Sequence, residues 1–434
     1  MVLVFDIGRT NKKCCVFDED YRIIFEHAAQ LPETVDEEGF ACEDVTLLRQ
    51  WLFEALQLAL TAIDTPIQAI NFSGYGASFV HLGSDGNPVA PLYNYLKPFS
   101  AVLQKQFYDQ YGGEEGFSRQ TASPVLGNLN SGMQLYRLKY EKPAIFEHIQ
   151  WSLHLPQYLS YCFTGQVYSD ISSIGCHTNL WNFDAQCYAD WVEKEGILPK
   201  LAPIKTHGQL LQLAPEINTS FIPVGIGLHD SSAALIPYLD CFSEPFVLLS
   251  TGTWCISMNP FNAEPLTAKE LQKDCLCYLS HQGRPIKSSR LLAGKTHELQ
   301  VQQLAKQYDK PLNHYQTVVF DQAIIETIQA ESKTKPANYE TAYHALMLKI
   351  VRDQSRSTKL VLGKSGVKHV FVDGGFSMNL LYMQLLARAF PKLAVYAAEV
   401  PQASAIGAAL AIHAVWNKKE KPRHLIGLKH HPVF

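Results

Sequence analysis

No uninterrupted apolar stretch in the 434 residues reaches the ~18–20 needed to cross a bilayer as a helix, so no membrane partner is expected. No Cys-x-x-Cys occurs among the ten cysteines. Cys14 and Cys15 are adjacent in an apolar run, and Cys275 and Cys277 are one residue apart. Those spacings match neither a zinc site nor a disulfide framework, which leaves reduced thiols of a cytosolic protein. Excess positive charge is also missing: the net charge is −4, which gives no reason to expect a nucleic-acid partner. The last eighteen residues carry five Lys/Arg against one Glu and read as a solvated tail. The chain runs straight into Val2-Leu3-Val4-Phe5 with no basic n-region or cleavage site, so a cytoplasmic location is expected. No heptad pattern stands out, and the oligomeric state, monomer or homodimer, stays open.

The chain is instead ordinary and large. With 47% apolar and 18% charged residues it can build an extensive core under a modestly charged surface. At this length two domains are expected rather than one.

Val2–Phe5 reads as a buried strand, Asp6-Ile7-Gly8-Arg9-Thr10-Asn11 as a turn, and Lys13–Phe17 and Arg22–Ala28 as two further strands of an antiparallel meander. Gly8 lets the backbone turn tightly and offer N–H groups to an anion. Thr10 and Asn11 could add donors, Lys13 a charge, and Asp6 a carboxylate for Mg²⁺; the alternative is a plain hairpin turn. Leu47–Ile63 is a helix with Leu48, Trp51, Leu52, Ala55, Leu56, Ala59, Leu60 and Ile63 on one face. Gln68–Phe72 is a strand running into the loop Ser73–Ser78, where Tyr75, Gly76, Ser78 and, beyond it, His81 could meet sugar hydroxyls. Tyr75 could equally be a packing aromatic. Residues 99–150 are mixed and helical. Trp151–Phe163 reads as an apolar helix stopped by Thr164-Gly165, and Ile222–Gly225 as the passage into a second half.

That second half opens like the first: strand Phe246–Leu249, turn Ser250–Gly252, strand Thr253–Met258, and a third strand at Cys275–Ser280. The repeat in outline points to two similar domains facing each other. Helical sequence fills 296–331 and 338–357. Val370–Val372, Asp373-Gly374-Gly375 and the helix Leu380–Phe390 form a strand, a glycine pair and a helix N-terminus, which is either a nucleotide-sized platform or a structural turn. Val395–Ala398 is a last strand. Ala403–Ala414 is a small-residue helix whose Gly407 permits close packing against that platform.

Gly227-Leu228-His229-Asp230-Ser231-Ser232 places a carboxylate at a strand-to-helix junction. About twenty residues later Leu249-Ser250-Thr251-Gly252-Thr253-Trp254 forms a small-residue turn between strands. A carboxylate able to take a proton, near a turn able to hold phosphate, suggests phosphoryl transfer to a hydroxyl. His229 could bond a neighbouring sugar hydroxyl or simply pack and orient the loop.

The order of these motifs resembles the FGGY family of carbohydrate kinases, from residue 2 to about 412. Trp151–Leu159, Thr164-Gly165, Ser169-Asp170 and Leu180–Asp184 also look like its N-terminal domain. The resemblance implies an α/β fold of two ribonuclease H-like, actin-like ATPase domains around a central cleft. Residues 1–225 would hold the sugar and the first phosphate loop, and 226–434 the ATP. It implies ATP with Mg²⁺ and transfer of the γ-phosphoryl group to a small-molecule sugar. Asp230 matches the catalytic base, and Asp6 the carboxylate near the metal. Gly8, Thr10, Asn11 and Lys13 match the first phosphate loop, and Thr251, Gly252 and Thr253 the second. Gly374, Gly375 and Asn379 match the adenosine side.

The His229-Asp230 pair and Thr251-Gly252-Thr253-Trp254 look most like the rhamnulose and fuculose kinases, which act on 6-deoxy-ketohexoses. Two departures bear on the sugar. Where the family carries an acidic contact, Tyr93-Asn94-Tyr95-Leu96-Lys97-Pro98 has a lysine. A later Lys-Leu-x-Trp-Leu-Lys signature reads Gln134-Leu135-Tyr136-Arg137-Leu138-Lys139. A pentulose or polyol kinase, or a sugar-binding regulator without catalysis, are the alternatives.

Overall fold

The computed structural model describes residues 1–206, 209–215, 217, 221–330, 336–400 and 402–433; the end of the expected helical stretch 296–331 lies outside them. Two seven-stranded sheets organise the chain. In the first, Val2–Ile7 pairs antiparallel with Lys12–Phe17, which pairs antiparallel with Ile23–Ala29, as the meander predicts. On its other edge Val2–Ile7 runs parallel to Ala69–Gly74. The second sheet repeats this plan. Phe246–Thr251 pairs antiparallel with Cys255–Asn259 and parallel with His369–Gly374, and Ala394–Glu399 follows in parallel. Each sheet therefore flanks its opening strand with an antiparallel strand on one side and a parallel strand on the other, the arrangement of a ribonuclease H-like domain.

Local chemistry explains the main elements. Asp44 caps the helix Val45–Ala62 by accepting from the N–H groups of Thr46 and Leu47, an arrangement worth about 1 kcal/mol. Below the cap, Leu48, Trp51, Leu52, Ala55, Leu56 and Ala59 are buried against the first sheet; each large apolar side chain so buried contributes roughly 1.5–3 kcal/mol.

Several expectations are corrected. Trp151–His154 is not the start of a helix but a strand paired with Phe79–Leu82. The helix is Leu155–Thr164, with Pro156 in its first turn, where a missing N–H costs nothing. Gly165, left-handed at φ 65°, ends it as expected. The stretch Ile222–Gly225 still belongs to the first sheet: Pro223–Val224 pairs with Leu211–Gln212 and Ala69–Gly74, and Leu228–His229 pairs with Ser73-Gly74. In the second sheet the strand beside Cys255–Asn259 is Pro285–Leu291, and Cys275–Leu279 lies outside it at the edge. The basic C-terminal stretch is not merely solvated, because Gly427–His431 closes the other edge of that sheet.

The helix Ala403–Ala411 packs not on the Gly374 platform but on the helix Asp230–Cys241 and the first sheet. Two features make that seat. Pro237 inside Asp230–Cys241 has no N–H for the Ala233 carbonyl, and Gly407 lies so close to that carbonyl that a Cβ would sit 1.8 Å from the oxygen. The fully buried Asn71 side chain donates to the Ala408 carbonyl at 2.7 Å and accepts from the Gly227 N–H at 3.3 Å. One amide thus ties the first sheet to both arms of the connection between the two halves. Among the described residues no helix is long and apolar enough to cross a membrane.

Candidate active site

Asp6 lies near the C-terminal end of the opening strand, beside Ser73 in the parallel neighbour. Its carboxylate accepts from the Ser404 hydroxyl at 2.7 Å, across the contact with the second half. Burial raises its pKa. The Ser404 and Ser73 hydroxyls and the Lys13 charge work against that rise, while the nearby Asp230 charge adds to it. Asp6 and Asp230, 224 positions apart by number, therefore share one electrostatic neighbourhood.

The first turn closes on itself: the Gly8 N–H donates to the Asn11 carbonyl at 2.9 Å, so this group is not available to an anion. The Arg9 and Thr10 N–H groups have no backbone partner among the described residues. Thr10 and Asn11 are exposed, and the Asn11 side chain accepts from Gln30. Lys13 reaches across to Gln402 at 2.8 Å. Lys12 is the turn's support. It is buried, donates to the Gly8 and Arg9 carbonyls at 3.0 Å each, and pairs with Glu43 at 2.5 Å. Sequence reading passed it over because strand alternation sends Lys12 and Lys13 to opposite faces.

Asp230 occupies the first turn of Asp230–Cys241, where the helix dipole favours a carboxylate. Its Oδ1 accepts from the Ser231 N–H at 2.5 Å and lies 3.2 Å from His229 Nε2. The same Nε2 is 3.2 Å from Cys176 Sγ, and Nδ1 is 3.4 Å from Ser232 Oγ. Burial lowers the His229 pKa, against the opposing pull of Asp230 and Asp170, so the ring is neutral near pH 7. Asp170 supports the loop by accepting from the Ser172 and Ser173 N–H groups, and Ser172 Oγ accepts from the His229 N–H at 3.1 Å. Gly76 abuts this pair: a Cβ there would be 3.0 Å from His229 Cδ2 and 3.1 Å from Cys176 Sγ. Tyr75 and Ser78 are buried. His81 lies deeper still, bonded to Ser152 at 2.9 Å.

Thr251, Gly252, Gly375 and Asn379 line a cavity of about 640 Å³. Thr251 braces it, its hydroxyl donating to the Asp373 carbonyl and accepting from the Phe376 N–H at 3.0 Å. The Gly252 N–H is taken by the Trp254 carbonyl at 2.9 Å, whereas the Thr253 N–H has no backbone partner among the described residues. Gly374, at φ 82°, passes so close to Thr251 that a Cβ would be 2.0 Å from its carbonyl oxygen; Gly375 faces open space. Asn379 caps Leu380–Ala389 through Tyr382 N–H and donates to the Tyr343 hydroxyl at 2.7 Å.

Sequence reading missed Gly294, where a Cβ would be 1.8 Å from the Gly252 carbonyl oxygen. It also missed His297, bonded to Tyr343 at 3.0 Å and driven down to about 4 by burial. Val319, Met378 and Leu380 are exposed at the cavity rim, an apolar slot suited to a flat ring beside a polar floor.

The N-terminal domain of the FGGY family of carbohydrate kinases matches residues 1–237, and a carbohydrate kinase FGGY C-terminal domain matches 243–337. The chain belongs to the FGGY family of carbohydrate kinases. Within the family, a rhamnulokinase of Bacteroides thetaiotaomicron is 27% identical over 236 residues, covering 52% of this chain and 47% of that protein. The match thus spans about half the length of the curated relative. The fold is shared over the full length with a carbohydrate kinase from Novosphingobium aromaticivorans (TM-score 0.81, 23% identity, 99% of this chain and 96% of that one). It is shared as well with ligand-bound xylulose kinase from Lactobacillus acidophilus (TM-score 0.83, 16% identity, 100% and 94%).

Proposed function

We propose that this FGGY-family chain is an ATP- and Mg²⁺-dependent kinase transferring the γ-phosphoryl group to a hydroxyl of a ketose, a 6-deoxy-ketohexose such as L-rhamnulose or L-fuculose. The observation that carries the reading is Asp230: a part-exposed carboxylate at a helix N-terminus, 3.2 Å from a buried neutral imidazole. Its charge is felt at Asp6, across the first sheet's strand ends. Asp230 takes the proton of the attacking hydroxyl, a contribution of roughly 10²–10⁴-fold. His229 holds the accepting oxygen in place. The N–H groups of Arg9, Thr10 and Thr253 are the donors left for phosphate oxygens once Gly8 and Gly252 have closed their turns. The slot at Gly375 takes the adenine.

Among the described residues no group of three or more His, Cys, Asp or Glu is arranged to hold a metal. Mg²⁺ bound through phosphate and water needs only one or two carboxylates, and the half-buried Asp6, within the electrostatic reach of Asp230, fits that demand. Bound there, Mg²⁺ supplies charge neutralisation for the phosphate oxygens.

The named rhamnulokinase supports a 6-deoxyketose; the full-length likeness to a xylulose kinase supports a pentulose as the second reading. Sugar-dependent ADP release with ATP and Mg²⁺ tests both. The panel is L-rhamnulose, L-fuculose, L- and D-ribulose, D-xylulose and glycerol, each with wild type and Asp230→Asn. Release driven by a deoxyketose and lost in the variant is expected. Release driven by a pentulose alone overturns the sugar, and release by nothing in an ATP-binding protein overturns the activity.

A further inference from the structure

The cavity beside Thr251 and Gly375 has a polar relay behind its wall. His297, on the helix Ala293–Gln307, and Asn379, the cap of Leu380–Ala389, both line the cavity. Behind them stands the fully buried Tyr343 of the helix Tyr339–Leu362. Its hydroxyl is 2.7 Å from Asn379 Nδ2 and 3.0 Å from His297 Nε2.

The protons of this relay are fixed from one end. Asn379 Oδ1 accepts from the Tyr382 N–H at 3.0 Å. A backbone N–H can only donate, so the amide nitrogen is the atom that faces Tyr343. The Tyr343 oxygen therefore accepts from Asn379 and has its own proton to give, and His297 Nε2 is the acceptor it meets. A proton on Nε2 instead would aim two donors at one oxygen and leave a buried hydroxyl proton without an acceptor, a costly arrangement. Burial holds the imidazole neutral, its pKa lowered to about 4, and a neutral ring carries one N–H. That N–H is on Nδ1.

Nδ1 has no hydrogen-bond partner among the described residues, and it is not buried from solvent. The ring that carries it is held edge-to-face by Phe376 and Tyr315, at centroid distances of 5.3 and 5.1 Å and interplanar angles of 83° each. Phe376, Tyr315, Val318 and Val319 line the cavity beside it. One oriented donor thus stands in an aromatic and apolar stretch of wall, where a hydrogen bond made away from water is stronger and fixes a ligand's orientation.

We propose that His297, held in its Nδ1–H form by Tyr343 and Asn379, donates to an unprotonated ring nitrogen of the ATP base and is the residue by which this chain reads a purine edge. This rests on the reading of the cavity as the seat of the adenine.

Calorimetric binding of ATP and of its 1-deaza, 3-deaza and 7-deaza analogues, each with one ring nitrogen replaced by C–H, tests it without turnover. Wild type is expected to bind one of the three about three- to tenfold more weakly than ATP. In His297→Phe, which keeps an aromatic ring and removes the donor, ATP should weaken by about the same factor and the penalty for that analogue should disappear. Nitrogen-15 NMR of histidine-labelled protein, with His297→Phe identifying the signal, should place the proton on Nδ1 in wild type and show that preference lost in Tyr343→Phe. His297→Leu serves in both measurements if the phenylalanine variant does not fold. Analogues that all bind as ATP does, or a penalty undiminished in the His297 variant, overturn the inference and leave the kinase reading standing. So does a wild-type proton on Nε2, or one on Nδ1 that Tyr343→Phe leaves in place. A protein that binds neither ATP nor any analogue overturns the nucleotide reading and the inference with it.

Discussion

Both ring nitrogens of His229 are engaged by the protein: Nε2 is 3.2 Å from Asp230 Oδ1 and Nδ1 is 3.4 Å from Ser232 Oγ. Ser232 in turn donates to the Leu279 carbonyl in the second sheet at 3.0 Å. His229 is thereby a holder of the base more than a free donor to the sugar. Asp230→Asn is expected to lower kcat by about 10²–10⁴-fold while ATP binding, read by calorimetry, stays the same. His229→Gln is expected to lower kcat by about tenfold with little change in the sugar KM. A large rise in sugar KM at unchanged kcat would instead give His229 a direct sugar contact.

Gly294 offers a test confined to the nucleotide side. A Cβ there would lie 1.8 Å from the Gly252 carbonyl oxygen, which no side-chain rotation relieves. Gly294→Ala should displace the Gly252–Thr253 turn and raise the KM for ATP about tenfold or more, since small misplacements of positioning groups are costly. The sugar KM should hold. Equal changes in both constants would mean that the turn is not local to ATP.

Asp6 carries a stability prediction with a sign. Burial raises its pKa above the ordinary 3.8, so the native state binds that proton more tightly than the unfolded chain. Ionised Asp6 therefore costs stability above its native pKa, and the cost fades as pH falls through it. Asp6→Asn should raise the thermal midpoint at about pH 8, with a gain that shrinks toward acid, and should abolish turnover. A variant less stable than wild type at about pH 8 would show that the Ser404 and Lys13 contacts outweigh the burial.

Three buried histidines of the first half, His81, His154 and His177, have pKa values lowered by burial from 6.5 to about 3. The unfolded chain takes up their protons below about pH 6.5 and the native state does not until about pH 3. Stability is thus intact above 6.5 and declines through that window, by up to about 1.4 kcal/mol per pH unit for each histidine. Urea titrations at stepped pH should give a slope that falls by about that amount in His81→Gln. An unchanged slope would mean that His81 takes up its proton in the native protein as readily as in the unfolded one.

The two glycine turns and their flanking strands were legible because their signals are local: an apolar run, a glycine, an apolar run. Asp6 and Asp230 were legible from their places at strand ends. Pro285–Leu291 was not, because four polar residues in succession hide a strand. Lys287 is satisfied by Glu270 at 2.7 Å and Ser289 by the Ser357 carbonyl at 2.8 Å, partners that no local pattern reveals. The lysine at position 97 was noticed, but its direction was set by Asp36 and Glu38, some sixty residues earlier in the chain. The seat of Ala403–Ala411 depends on a carbonyl released by Pro237, a tertiary fact with no periodic signature.

The Asn71 amide and the Ala408 carbonyl it bonds are separated by 337 residues. During vectorial synthesis the strand bearing Asn71 leaves the ribosome long before its partner exists. For most of that time a buried-type amide on the first sheet and the face destined for Ala403–Ala411 are exposed on the nascent chain. The first half therefore completes its packing only when Ala403–Ala411 arrives. A ribosome stalled before codon 403 would carry an N-terminal half that is open on that face, a client for chaperones rather than a finished domain.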